Sequence, residues 1–152
     1  MSAVRHSGGF TLIELVACIV ILAVLAAIAG PRFFDQQTFA ARGYAGEIVA
    51  ALRGARQTAV SSRCEVEVSL DPVTGYRVMQ RTLSNCSGGF TAPVRLVDGN
   101  PLANTPPSGV AVTPAAQIIF GANGQVTGAA PPPLSVGAFA ITVDPVSGFV
   151  FK

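Results

Sequence analysis

The chain has 152 residues, room for one compact domain and a further segment, and its 10 basic and 8 acidic residues leave a formal charge of +2, too little to indicate nucleic acid by charge alone. Its single histidine, His6, lies ahead of an apolar run, so the chain beyond that run lacks the side chain for histidine triads, general bases and metal ligation. Charged residues are 12% of the chain and mean hydropathy is +0.52, but much of the apolar excess lies before Gly30, and the remainder reads as a separate, more ordinary protein.

From Phe10 to Gly30 the sequence carries one charge, Glu14, and no proline. As a helix rising ~1.5 Å per residue, the segment reaches ~31 Å, the thickness of a bilayer core. Arg5 and His6 precede it, so the positive-inside tendency keeps Met1 to Gly9 in the cytoplasm and sends everything after Gly30 outward. A cleaved secretory signal is the competing reading, since Ala27-Ile28-Ala29 offers the small residues that a signal peptidase reads. Against it, the run exceeds the ~7 to 15 residues of a signal core, and a central acid costs ~2.5 to 3.5 kcal/mol on insertion scales. A disposable signal has no use for that cost. The positive end of the helix dipole supplies part of a partner for Glu14, and a cation must supply the rest. Cys18, within the run, reads as a small hydrophobe.

The stretch "GGFTLIEL" resembles the class III signal of type IV pilins and type II secretion pseudopilins. The resemblance implies that a prepilin peptidase cuts after Gly9, that Phe10 becomes an N-methylated terminus, and that Glu14 is the acid five residues into the mature chain. It also implies that Glu14 pairs with the new amine of a neighbouring subunit during filament entry. Pro31 falls where type IV pilin helices often carry a loosening proline, and its missing N–H predicts a helix that bends or melts there.

After "RFFDQQTF", apolar or small residues recur at Ala41, Ala45, Ile48, Leu52, Ala55 and Ala59, the pattern of one helix face, with Arg42, Arg53, Arg56 and Gln57 on other sides. The spacing predicts an amphipathic helix that continues the membrane helix and lays its apolar stripe on a globular head. Gly43, Gly46 and Gly54 weaken it in isolation, so it depends on packing.

From Cys64 the period becomes two: Cys64, Val66, Val68 and Leu70 alternate with Glu65, Glu67 and Ser69, a strand with one buried face. "DPVTG" then turns the chain into a second strand over Tyr76 to Met79. The device recurs, since "VSLDPVTGYRV" and "ITVDPVSGFVF" share their turn chemistry. Asp71 and Asp144 each lack a second acidic donor at loop spacing, so the turn reading outweighs calcium ligation and no metal or cofactor is expected. Val94 to Val97, Val110 to Thr113 and Gln117 to Phe120 are further strand candidates, and "GAAPPPL", Gly128 to Leu134, is a loop. In an oxidising compartment Cys64 and Cys86 are the natural disulfide pair, closing a loop worth on the order of 3 kcal/mol; two reduced, buried thiols are the alternative. Asn85-Cys86-Ser87 fits a glycosylation sequon, a pattern common by chance.

These elements give an α+β chain: leader 1–9, membrane and assembly helix 10–30, amphipathic helix 31–62 and a β-rich head 63–152. The order, with "LRGARQTAVSS" and "IIFGANGQ", is similar to the GspH/FimT group of minor pseudopilins and minor pilins. What that implies is a non-enzymatic filament subunit stored in the bacterial inner membrane with its head in the periplasm. Its partners would be other pilins or pseudopilins and an inner-membrane assembly platform. The alternative is a FimT-like DNA-binding minor pilin, with Arg53, Arg56, Arg63, Arg77, Arg81 and Arg95 as phosphate contacts. An exported enzyme is disfavoured, because neither Ser61 nor Cys64 has a histidine to activate it and no paired carboxylates or phosphate-binding glycine loop is present.

Overall fold

The computed structural model describes residues 11–33, 36–82 and 85–152, and of residues 27–33 the backbone alone. The chain divides into two compact units, Met1–Asp35 and Gln36–Lys152. In the first, helix α1 spans Leu12–Phe33. Pro31 does not end it: the helix is assigned two residues further, because proline removes one bond from the ladder while the residues beyond it keep their N–H groups.

In the second unit, helix α2 spans Gln36–Ser62. The predicted stripe is buried in full, and Tyr44, Val49 and Ala51 widen it. Ala45, Ala55 and Ala59 are completely covered, and their small side chains bring the helix backbone close to the strands while Tyr44, Ile48 and Leu52 fill the space between. Gly43 and Gly46 face open space and Gly54 makes only an ordinary contact with Leu102, so these glycines carry no packing role that would offset their helix-weakening effect. The helix stops where Arg63 turns to the left-handed region at φ 57°, a common helix ending.

Ten short strands follow: β1 Val66–Asp71, β2 Gly75–Arg81, β3 Phe90–Pro93, β4 Ala103–Asn104, β5 Val112–Thr113, β6 Ala116–Phe120, β7 Val126–Thr127, β8 Leu134–Val136, β9 Phe139–Val143 and β10 Val150–Phe151. They form two antiparallel sheets. One has the order β3-β2-β1-β6-β7 with β4 also on β2, and the other runs β10-β9-β8-β5. α2 packs on strands of both, so its buried face is the shared floor of one core. This is the α+β fold of a helix on antiparallel sheet. β1 shows strict alternation, with Val66, Val68 and Leu70 inward. It starts at Val66 rather than Cys64, which is half-buried and bonded to Cys86 with the two Cα atoms 5.3 Å apart.

Two stretches differ from the sequence pattern. Val94–Val97 is no strand: Val94 is buried and donates to Val78 O, but beyond it only Arg95 bridges to Pro101. Asp98 binds both the backbone and side chain of Asn100 and narrows the turn, and Pro101 has no N–H to extend a ladder. The pairing strand lies earlier, at β3. The proline loop, in turn, ends inside a strand, for Leu134 is buried and opens β8.

The repeated turns are built alike. Asp71 Oδ1 accepts the N–H groups of Val73 and Thr74, each at 2.8 Å, and Asp144 accepts those of Val146 and Ser147 at 3.3 and 3.2 Å. Gly75 (φ 87°) and Gly148 (φ 67°) close them in the left-handed region. A Cβ on Gly75 would lie 2.1 Å from Asn104 O, and one on Gly148 would lie 1.9 Å from Gly124 O. Both turns therefore sit against neighbouring backbone that cannot yield as a side chain would.

Gly75→Ala and Gly148→Ala are each expected to destabilise the protein by about 2–4 kcal/mol, read from denaturant unfolding, because strain and backbone collision add. The turn hydrogen bonds, from Thr74 first for Asp71 and from Ser147 first for Asp144, hold both carboxyls below their ordinary value of 3.8. A carboxyl lowered in the folded state stabilises fully above its unfolded value and loses that contribution as pH falls through the folded one. Stability should accordingly decline on acidification below about pH 4, and Asp71→Asn with Asp144→Asn should flatten that decline in thermal melts taken across the range.

Candidate functional site

α1 begins with a cap. Thr11 Oγ1 accepts the Glu14 N–H at 3.3 Å, and Thr11 O accepts the N–H groups of Glu14 and Leu15, both at 3.1 Å. Thr-x-x-Glu is the capping-box spacing, a signal present in the sequence beside the cleavage motif. The cap fixes where the helix starts, and so fixes Glu14 in its first turn, where the helix dipole favours a negative charge.

Beyond the cap the helix presents apolar side chains on every side. Leu12, Ile13, Leu15, Ile19, Leu22 and Leu25 are all more than half exposed, with Leu12 at 80%. Glu14 is the one charged residue between Thr11 and Ala26, is exposed, and its carboxylate has no ion-pair partner among the described residues. A helix that is apolar all round has no face it can leave in water. Among the described residues no helix is long and apolar enough to cross a membrane; the described side chains of α1 end at Ala26, whereas the apolar sequence runs to Gly30. Gly9 and Phe10, the expected cleavage and methylation positions, lie outside the described residues.

The head's arginines mostly serve the head. Arg53 Nη2 donates to Val150 O at 3.0 Å, and Arg56 Nε donates to Gly124 O at 3.2 Å and Ser147 O at 3.1 Å while its guanidinium lies 4.8 Å from the Phe149 ring centre. Arg81 binds Glu65 Oε2 through Nε at 3.0 Å and Gly88 O at 2.8 Å, with Phe90 beneath it at 4.5 Å. Arg95 donates to Gly99 O at 2.7 Å. Of the six arginines nominated as phosphate contacts, these four are tied to their own chain, and Arg63 and Arg77 are exposed without a bonded side-chain partner among the described residues. Sequence pattern did not reveal the clamps, because they join α2 to turns about 70 to 100 residues away, whereas periodicity reports only on near neighbours in the chain.

Inside the head, the Tyr44 hydroxyl is buried with no hydrogen-bond partner among the described residues. Burial first, then the nearby Tyr76 and Glu47, push it up to about 12, so it remains a neutral phenol at ordinary pH. Tyr44 and Tyr76 stack at a tilt with ring centres 6.2 Å apart, a core contact beneath the first turn. Among the described residues no group of acidic, cysteine or histidine side chains could hold a metal ion.

An apolar helix with one acid in its first turn, and an α+β head on a second helix, define a pilin-like or pseudopilin-like subunit. The prokaryotic N-terminal methylation motif matches residues 4–30, and type II transport protein GspH matches residues 44–148. The chain belongs to the GspH family of type II transport proteins. No curated protein and no solved structure matches it. Family membership makes it a structural subunit, with a prepilin peptidase as its processing partner and other pilins or pseudopilins as assembly partners.

Proposed function

We propose that the protein is a minor subunit of a type II secretion pseudopilus or type IV pilus, stored in the inner membrane as a single-pass protein with its head in the periplasm. Prepilin peptidase removes Met1 to Gly9, Phe10 becomes the methylated terminus, and an inner-membrane platform feeds the subunit into the filament through α1. The observation that carries this reading is Glu14: a single exposed acid, capped into the first turn of a helix that carries no other charge before Arg32.

The physical logic is charge neutralisation. Cleavage between Gly9 and Phe10 creates an amine, and the amine of one subunit meets the Glu14 carboxylate of the next as both enter an apolar helix bundle. An acid that costs ~2.5–3.5 kcal/mol alone at the membrane centre becomes the group that sets subunit register. Leu12, Leu15, Ile19 and Leu22 supply the lateral packing. DNA uptake is the weaker reading, since Arg53, Arg56, Arg81 and Arg95 hold turns and strands of their own head.

Glu14→Ala is expected to fractionate with membranes as the parent does, and to be processed at Gly9, but to fall by about tenfold or more in filament fractions, consistent with the loss of one buried charge pair. Immunoblots of membrane and sheared-filament fractions check this, and undiminished incorporation would remove the pairing role.

A further inference from the structure

We propose that the recess between α2 and the β9–β10 turn receives an acidic side chain from a neighbouring subunit, with Arg53 and Arg56 as its receptor. The proposal rests on the filament reading above and adds a head-to-head contact to it. The recess has a volume of ≈ 380 Å³ and is lined by Arg53, Arg56, Gln57, Gly148, Phe149 and Val150. Arg53 and Arg56 stand one helical turn apart on α2, a spacing that places their side chains side by side.

Each guanidinium is fixed by part of its donor set. Arg53 uses Nη2 on Val150 O, and Arg56 uses Nε on Gly124 O and Ser147 O. Among the described residues, no protein acceptor is bonded to their remaining nitrogens and neither arginine has an ion pair; the ion pair found there joins Arg81 and Glu65. Phe149, 56% exposed, lies under the Arg56 guanidinium and forms an apolar wall. The result is a pair of oriented forks whose ordering is already complete before a ligand arrives.

The two charged residues that line the recess, Arg53 and Arg56, are both basic. Asp144 on the β9–β10 turn keeps its charge, but its oxygens accept from Val146 and Ser147 and it forms no ion pair with either arginine. Two arginines without an ion-pair partner select an acidic partner, and planar forks suit a carboxylate, which accepts two parallel N–H bonds. A duplex requires several phosphate contacts along an extended face. Here Arg81 is ion-paired and Arg95 is bonded within its own hairpin, and the recess itself holds two arginines, fewer than such a face needs. A protein carboxylate therefore fits better than a phosphate backbone.

The test uses the full chain in cells that express its partner subunits, with a benzoylphenylalanine photo-crosslinker at Gln57 and, separately, at Leu22 in α1 as an assembly control. The expected result is an adduct from Gln57 with another subunit, mapping to a segment that carries Asp or Glu. Arg53→Glu should reduce that adduct about tenfold and Arg53→Gln should reduce it less, while the Leu22 adduct persists. Replacing the captured acid by Arg should restore the Arg53→Glu adduct. An adduct at Leu22 with none at Gln57, one mapping to a segment without an acid, one with nucleic acid, or one indifferent to Arg53→Glu would overturn the proposal while leaving the filament reading intact. Loss of both adducts in the parent chain would overturn the filament reading, and this proposal with it.

Discussion

The head depends on the contact between the buried face of α2 and two sheets that share no strand. Ala45, Ile48, Leu52, Ala55 and Ala59 have no solvent exposure, and they meet Val66, Val68, Val78, Phe120, Val136 and Ile141 at the centre of the core. Most of the strands are two to five residues long, too short to be stable as separate hairpins. What holds them is the helix beneath them and a few clamps across their turns: Arg53 and Arg56 from α2, Val126 N–H on Pro145 O between the sheets, and the disulfide at the end of α2. Small residues on the helix are a condition of this design, because larger ones would lift the helix from both sheets together.

α1 has the opposite character. From Leu12 to Ala26 its side chains, Glu14 apart, are apolar on every face and exposed, and its first turn holds a single acid fixed by the Thr11 cap. Such a helix is incomplete alone, whether the missing surroundings are lipid or other helices. A pilin or pseudopilin subunit needs both environments in succession, and on the proposed reading the acid is a cost in lipid and a bond among neighbours that bear free amines. The methylation motif over residues 4–30 and the GspH match over residues 44–148 fall on these two units in turn.

The legible parts of the sequence were those whose cause is local. The α2 face followed from a period that repeats through about five turns, and each residue singled out on it is buried. The Asp-Pro-x-x-Gly turns were legible because aspartate and glycine each do a specific backbone task there. β8 was not, since three residues do not show a period and its burial comes from distant partners. Val94–Val97 carried strand-forming residues, but Asp98, Asn100 and Pro101 made a tight hairpin instead. At the functional end, Glu14 was conspicuous by its surroundings, whereas the Thr11 cap was written in the same motif and required the helix start to be recognised. The Arg53 and Arg56 clamps bridge turns about 70 to 100 residues away and left no trace in spacing.

The central claim is that Met1 to Gly9 is removed while the apolar helix stays with the working protein. Intact-mass and N-terminal analysis of the protein extracted from membranes tests it most directly. The account predicts a chain that begins at Phe10 and is one methyl group heavier than its sequence. A chain that begins at Gly30, with the helix and Glu14 cut away, would contradict it.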